Sequence, residues 1–488
     1  MSTEKKDSVT EEKVWKMGDL KPPVPFREMP NPGEYSFRNY LRKFFGPGTI
    51  TGMGAVAGFE LMNVPYFVSR GYLGICWLYT LATVFSCLIL REAARYTLAT
   101  GENSFMGLFR MKPKHFWAIM WVGLSTAGSI LPGWVSSGGT AMAWLTGVGN
   151  WQTWGVIGIL LCTAILLFAK QPYGALKKVL EYAAFGIVLI AFLSCFAVGS
   201  PAKVIETIAS WFLPLQGPWT PGLIATLGPM VVVRFLNQPG GGVGALNYTQ
   251  WIQEEGYGMA AHMPKITGLR VKAEEMPTHG YIFDWKDKEQ KRRYDVWMKY
   301  LTLDSGLFYG GTAILTTMVF SYLAASTFTK PVKAEDAPIA MAIAMSKVLG
   351  PAGWYIFLFM VVIRLWLQPI GSYDSLGRQM AVAVYMESEK ARKWPYRNWY
   401  LLMLAIAVTV GCAFVLGAVA QPYVIWLISG IWVTGGMGGS TIHMVYMNSK
   451  YLPEELRPSK AMQIIMYIWG AVMVVCSIYT LGNMLKMW

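Results

Sequence analysis

The chain has 488 residues, 54% of them hydrophobic and 14% charged, and a formal net charge of +14. Soluble domains carry about 25% charged residues, so these totals exclude an ordinary soluble globular protein and point to one membrane domain. The six cysteines, at positions 76, 87, 162, 195, 412 and 476, all fall in apolar stretches without a C-x-x-C pair, which argues against a disulfide framework or a zinc site.

In chain order, residues 1–40 form a polar, proline-rich arm without the apolar core of a signal peptide. The arm is expected to be cytoplasmic and partly disordered. Apolar runs close to the ~20 residues that cross a bilayer then recur. Eleven are expected, over 45–69, 73–99, 115–146, 151–169, 175–199, 220–254, 299–325, 352–386, 398–420, 422–448 and 462–484. Lipid-exposed backbone must satisfy its own hydrogen bonds, and these runs are too long for barrel strands, so the chain reads as an all-α polytopic membrane protein.

Lys and Arg cluster in alternate connections. Arg38, Arg42 and Lys43 precede the first span, and Arg110, Lys112 and Lys114 follow the second. Lys170, Lys177 and Lys178 follow the fourth, and Lys286, Lys288, Lys291, Arg292 and Arg293 the sixth. Lys390, Arg392, Lys393 and Arg397 follow the eighth, and Lys450, Arg457 and Lys460 the tenth. The positive-inside rule then puts the N-terminus in the cytoplasm and the C-terminus outside, in a plasma membrane protein. It also makes the basic clusters topology signals, so no nucleic-acid partner is expected. Residues 256–298 form the longest internal connection, and its end, DWKDKEQKRRYDVWMKY, reads as an amphipathic helix on the inner surface.

Two spans are interrupted in the same way. The first reads GPGTITGMGAVAGFELMNVP over 46–65, and the sixth reads GPMVVVRFLNQPGGGVGALNYTQW over 228–251. Related interruptions occur in the third span, SILPGWVSSGG, and the eighth, LWLQPIGSYDSLG. A five-helix offset between matching breaks suggests an inverted repeat, 41–200 against 299–450, with 201–255 as linker and broken sixth helix and 451–488 as the appended eleventh helix. Broken helices in equivalent positions of two repeats point to a transporter's binding site. Glycines that only allow close helix packing are the alternative.

A carboxylate at membrane depth costs at least ~2.5 kcal/mol and marks function by default, and Glu60 lies in or just after the first break. The second break supplies Arg234, Asn237, Gln238 and Asn247, and the eighth span supplies Arg364, Gln368 and Asp374. Arg234 follows three valines and should lie deep, either paired with Glu60, holding an anionic cargo, or serving as a fixed internal cation. Asp304 enters near the inner end of the seventh span, and Arg91, Glu92 and Arg95 close the second as an anchor or gate network. No P-loop, nucleophile elbow or H-E-x-x-H motif is present, so neither an enzyme nor a cofactor is expected.

These features resemble the Nramp metal-ion transporters and a divergent Nramp-like branch of the amino acid–polyamine–organocation superfamily. The resemblance rests on GPG at 46–48, GYLGICWLY at 71–79, REAARYTLATGE at 91–102, LEYA at 180–183, GGGVGALNYTQWIQEEGYGM at 240–259 and LPEELRPS at 452–459. It implies the leucine-transporter-type fold: helices 1–5 and 6–10 as inverted repeats with helices 1 and 6 broken, and alternating access. It also implies proton-coupled uptake of a divalent metal. The family's Asp-Pro-Gly-Asn falls on Ala57, Gly58, Phe59 and Glu60, and its Met-Pro-His on Gly244, Ala245 and Leu246. The chain therefore lacks the family's metal-binding motifs and keeps a carboxylate only at Glu60.

The expected function is a secondary-active transporter moving a divalent metal cation with proton coupling. The cargo would sit at Ala57, Gly58, Glu60, Asn237, Gln238, Asn247 and Gln368, with Glu60 and Asn247 as metal ligands. Glu60, Arg234, Arg364 and Asp374 would form the coupling or charge network. Two alternatives stand beside it. One is a carboxylate-bearing or zwitterionic solute as cargo, because a fixed Arg234 repels a cation. The other is a non-transporting scaffold subunit of a membrane complex.

Overall fold

The computed structural model describes residues 14–15, 24–44, 46–54, 59–111, 113, 116–117, 120, 133–168, 172–215, 217, 228–237, 244–263, 279–333, 336, 339–387, 390, 393–417 and 422–487. A short antiparallel pair comes first, β1 (Val14–Trp15) against β2 (Val24–Pro25). Helices follow: α1 (Phe37–Lys43), α2 (Pro47–Gly54), α3 (Val64–Val68), α4 (Trp77–Thr100) and α5 (Ser104–Phe109). Next come α6 (Gly133–Thr146), α7 (Trp151–Phe168), α8 (Pro172–Cys195), α9 (Pro201–Phe212), α10 (Pro229–Leu236) and α11 (Gly244–Glu255). The series ends with α12 (Lys288–Leu303), α13 (Thr312–Thr327), α14 (Ala340–Glu387), α15 (Tyr396–Gly417), α16 (Pro422–Tyr451) and α17 (Lys460–Met484).

The chain is a polytopic, all-α membrane protein. Among the described residues, six helical stretches are long and apolar enough to cross a bilayer: 73–100, 151–168, 288–327, 340–367, 396–417 and 460–484. The first and sixth expected spans are each divided between two described helices, α2 with α3 and α10 with α11. Residues 55–58 and 238–243, which hold the centres of both breaks, lie outside the described residues.

Local chemistry explains where helices start. α2, α8, α9, α10 and α16 open on proline, whose missing N–H is one the first turn cannot use anyway. Gly228 precedes α10 with φ 72°, a backbone that L side chains rarely adopt. Inside α14, Gly350 (φ 67°) interrupts the helix just before Pro351, so the eighth span begins there.

Helices meet closely through glycine. A side chain on Gly139 of α6 would lie 2.5 Å from the Trp151 carbonyl of α7, and one on Gly438 of α16 would lie 2.5 Å from the Gly470 carbonyl of α17. Two π-helical turns depart from this regular packing, Phe59–Asn63 leading into α3 and Asp304–Gly311 leading into α13. Such turns are rare and gather at functional sites. Here each carries a fully buried carboxylate, Glu60 in one and Asp304 in the other.

From Val24 onward the arm is fixed rather than loose. Phe26 pairs with Ile282, and Arg293 of α12 donates to the Glu28 carboxylate at 2.6 Å and to the Met29 carbonyl at 3.0 Å. Trp297 donates to the Pro30 carbonyl at 2.9 Å, and Tyr300 to the Glu34 carbonyl at 2.7 Å. The expected amphipathic helix is α12, with Tyr294, Val296, Trp297, Met298, Tyr300 and Leu301 buried. One of its uses is to carry the arm.

Candidate substrate site at the interrupted helices

Glu60 stands on the first turn after the break in span one. Its Oε1 accepts hydrogen bonds from the Tyr79 hydroxyl of α4 at 3.1 Å and the Thr317 hydroxyl of α13 at 3.4 Å. Those two hydroxyls are themselves bonded at 3.0 Å. The carboxylate also acts electrostatically on Arg364 of α14, a guanidinium only 2% exposed. Glu60 is hydrogen-bonded, and the two buried charges are of opposite sign, which lowers the cost of burying them. Asn63, three residues on, is fully buried, and its amide oxygen and nitrogen find no hydrogen-bond partner among the described residues.

Arg234 occupies a different place. It lies on α10, 3% exposed, with its guanidinium carbon 3.3 Å from the centre of the Trp426 ring of α16. Its Nη1 is 3.5 Å from Asn237 Oδ1. Gly430 makes room for it, since a side chain there would meet Arg234 Cδ at 2.8 Å. Asn237 in turn donates to the Gly430 carbonyl at 3.0 Å and to Thr434 at 2.9 Å. Of the three roles expected for Arg234, pairing with Glu60 is not among the described contacts. Arg364 is the arginine on which Glu60 acts, and Arg234 and Asn237 are turned onto α16.

The other expected residues divide. Asp374 is half-buried and accepts from the Tyr400 hydroxyl of α15 at 2.9 Å, away from the Glu60 contacts. Asn247 lies half-buried on α11. Ala57, Gly58, Gln238 and the side chain of Gln368 lie outside the described residues. Glu92 joins Arg91 and Arg95, each at 2.6 Å, and Arg95 reaches the Leu456 carbonyl at 3.1 Å, which ties α4 to the connection before α17. No group of three or more His, Cys, Asp or Glu arranged to hold a metal occurs among the described residues.

Sequence reasoning missed Tyr79, Thr317 and Asn63, which are ordinary residues in apolar helices until the fold brings them beside a carboxylate. It also undervalued Asp304. Both carboxylate oxygens of Asp304 are engaged, Oδ1 by the Tyr40 hydroxyl and Oδ2 by the Tyr248 hydroxyl at 2.5 Å. A second buried pair, Glu102 with Arg110, is completed by the Tyr96 hydroxyl at 2.6 Å and the Gly280 N–H at 2.8 Å.

The fold has solved counterparts. The chain is similar to the Eremococcus coleocola manganese transporter, in a histidine-to-alanine mutant, with a TM-score of 0.60 at 12% identity over 96% of this chain and 91% of that one. The same transporter in complex with an aromatic bis-isothiourea substituted compound gives a TM-score of 0.57 at 11% identity over 96% and 91%. The chain folds as these transporters do. No family model matches the sequence, and no curated protein matches it either. At this identity the likeness concerns the fold, and function has to be argued from the site.

Proposed function

We propose that the chain is a secondary-active transporter working by alternating access, with the arm side facing the cytoplasm of a plasma-membrane protein. The shared fold and the interrupted first and sixth spans support this reading. The Lys and Arg distribution supports the orientation.

For the cargo, we propose a small neutral or zwitterionic solute. The observation that carries this reading is the state of Glu60, whose carboxylate is engaged by Tyr79 and Thr317 and acts on the buried Arg364. A buried guanidinium that acts on this carboxylate opposes the approach of a bare divalent cation. A solute with a donor and an acceptor, or with charges of both signs, matches the Glu60 carboxylate, the Arg364 guanidinium and the Asn63 amide, whose polar atoms find no partner among the described residues.

Proton-coupled divalent-metal transport is the second reading. Its support is the fold shared with a manganese transporter, together with a carboxylate retained at Glu60. Reconstituted vesicles separate the two. We expect flux of members of a panel of radiolabelled α-amino acids, with Mn²⁺ uptake at the level of protein-free vesicles. Mn²⁺ uptake lost in Glu60→Gln, with no amino-acid flux, would reverse the assignment. Absence of both would favour a scaffold subunit.

A further inference from the structure

Asp304 sits at the meeting point of four elements. It begins the π-helical turn after α12, and Tyr40 of α1 and Tyr248 of α11 donate to its two oxygens. The backbone of α2 packs closely beside the same carboxylate at Gly48. A carboxylate taking donors on both oxygens behaves as an ionised acceptor. Its close approach to α2 depends on glycine. Any side chain on Gly48 would run into Asp304, and one on Gly52 would lie 2.7 Å from the Tyr309 carbonyl. One buried carboxylate thus meets α11 through a hydrogen bond and α2 through close packing, joining the halves of both interrupted spans to the seventh on the arm side.

Tyr40 belongs to α1, and α1 is placed by the arm. Ser36 caps α1 by accepting from the Asn39 N–H at 3.1 Å, and the Asn39 side chain donates to Tyr300 of α12 at 2.8 Å. Upstream, the Glu28, Met29, Pro30 and Glu34 contacts described above fix residues 24–36 to α12. The Phe44 carbonyl, just past α1, accepts from the Tyr257 hydroxyl. The path from arm to gate is therefore continuous in covalent structure and hydrogen bonds.

We propose that residues 24–44 are an inhibitory strap: seated on α12, the arm presents Tyr40 to Asp304 and holds α2 and α11 closed on the arm side. Lifting the strap removes one donor from a buried anion and frees α2 to move. Gates in such proteins are elements that swing against a fixed frame, and here α12 is the frame. The assignment is independent of the cargo.

The test uses the full chain in inside-out membrane vesicles with a membrane-impermeant maleimide. Thr51, buried on α2 one turn beyond Gly48, is replaced as Thr51→Cys, and the chain without that change supplies the background from the native cysteines. Tyr40→Phe and deletion of residues 1–35 should each raise the labelling rate about tenfold or more, the factor carried by one hydrogen bond to a charged group. Arg293→Ala, far from Asp304 and partly exposed, should raise it by a smaller factor by loosening Glu28 and Met29. Rates within about twofold of the parent for both Tyr40→Phe and the deletion would overturn the proposal, twofold being below the effect of such a bond. A rise with Tyr40→Phe but none on deletion would overturn the strap as well. Should Tyr40→Phe fail to fold, the deletion and Arg293→Ala decide the matter.

Discussion

The Tyr79 hydroxyl donates to Glu60 Oε1 at 3.1 Å and accepts from the Thr317 hydroxyl at 3.0 Å, so a tyrosine of α4 and a threonine of α13 meet at one buried carboxylate. This relationship predicts coupled energetics. Tyr79→Phe removes a donor from a buried anion, at about 1.5–3 kcal/mol, and Thr317→Val removes the hydroxyl that donates to Tyr79. Because the two hydroxyls also bind each other, the double variant should cost less than the sum. Thermal unfolding of the purified variants in detergent measures both effects. Strict additivity would contradict the shared-donor arrangement.

Arg234 lies over Trp426, with its guanidinium carbon 3.3 Å from the ring centre. A lysine keeps the charge but not the planar face, so Arg234→Lys is not conservative here. The expected loss is about 1–2 kcal/mol, the scale of a desolvated cation–π contact. Trp426 emission, isolated by subtraction of a Trp426→Phe spectrum, should shift in Arg234→Lys. An unchanged spectrum and midpoint would refute the stack.

Gly48 and Gly306 make opposite predictions within one packing unit. A side chain on Gly48 has no room beside Asp304, whereas one on Gly306 meets nothing within 4 Å. Gly48→Ala should lower stability by about 1–3 kcal/mol through overpacking. Gly306→Ala should be neutral or slightly stabilising, since alanine is the better helix former. Equal midpoints for the two variants would mean that α2 does not rest on the π-helical turn.

Glu102 and Arg110 are both buried, and Glu102 takes further donors from Tyr96 and Gly280. Arg110→Met leaves a buried anion short of its cation and should cost about 3–5 kcal/mol. Adding Glu102→Gln should recover a large part of that loss. Expression level and unfolding midpoint of the three proteins report it. A double variant no better than Arg110→Met would show that the pair is not the source of the loss.

Much of the architecture was legible in the sequence because the membrane imposes simple rules. Apolar length, proline and glycine marked the interrupted spans, and a charge inside an apolar run marked Glu60. The partners of Glu60 were not legible. Tyr79, Thr317 and Arg364 are far apart in sequence, and nothing in their own spacing selects them. Arg234 was legible as a deep charge, but its contact with the face of Trp426 on α16 was not. The contacts of the arm over residues 24–36 were not legible either. Its polar, proline-rich stretch is fixed largely through its own carbonyls, at Met29, Pro30 and Glu34, by side chains of α12. Composition counts side chains and does not register backbone acceptors.

With Glu60 engaged by Tyr79 and acting on the buried Arg364, the proposed solute site should not bind a bare divalent cation. Titrating the purified protein with Mn²⁺ while following the free-ion electron paramagnetic resonance signal tests it most directly. The account predicts a signal that tracks added Mn²⁺ as in buffer, for wild type and Glu60→Gln alike. Stoichiometric loss of signal in wild type, restored in Glu60→Gln, would contradict it.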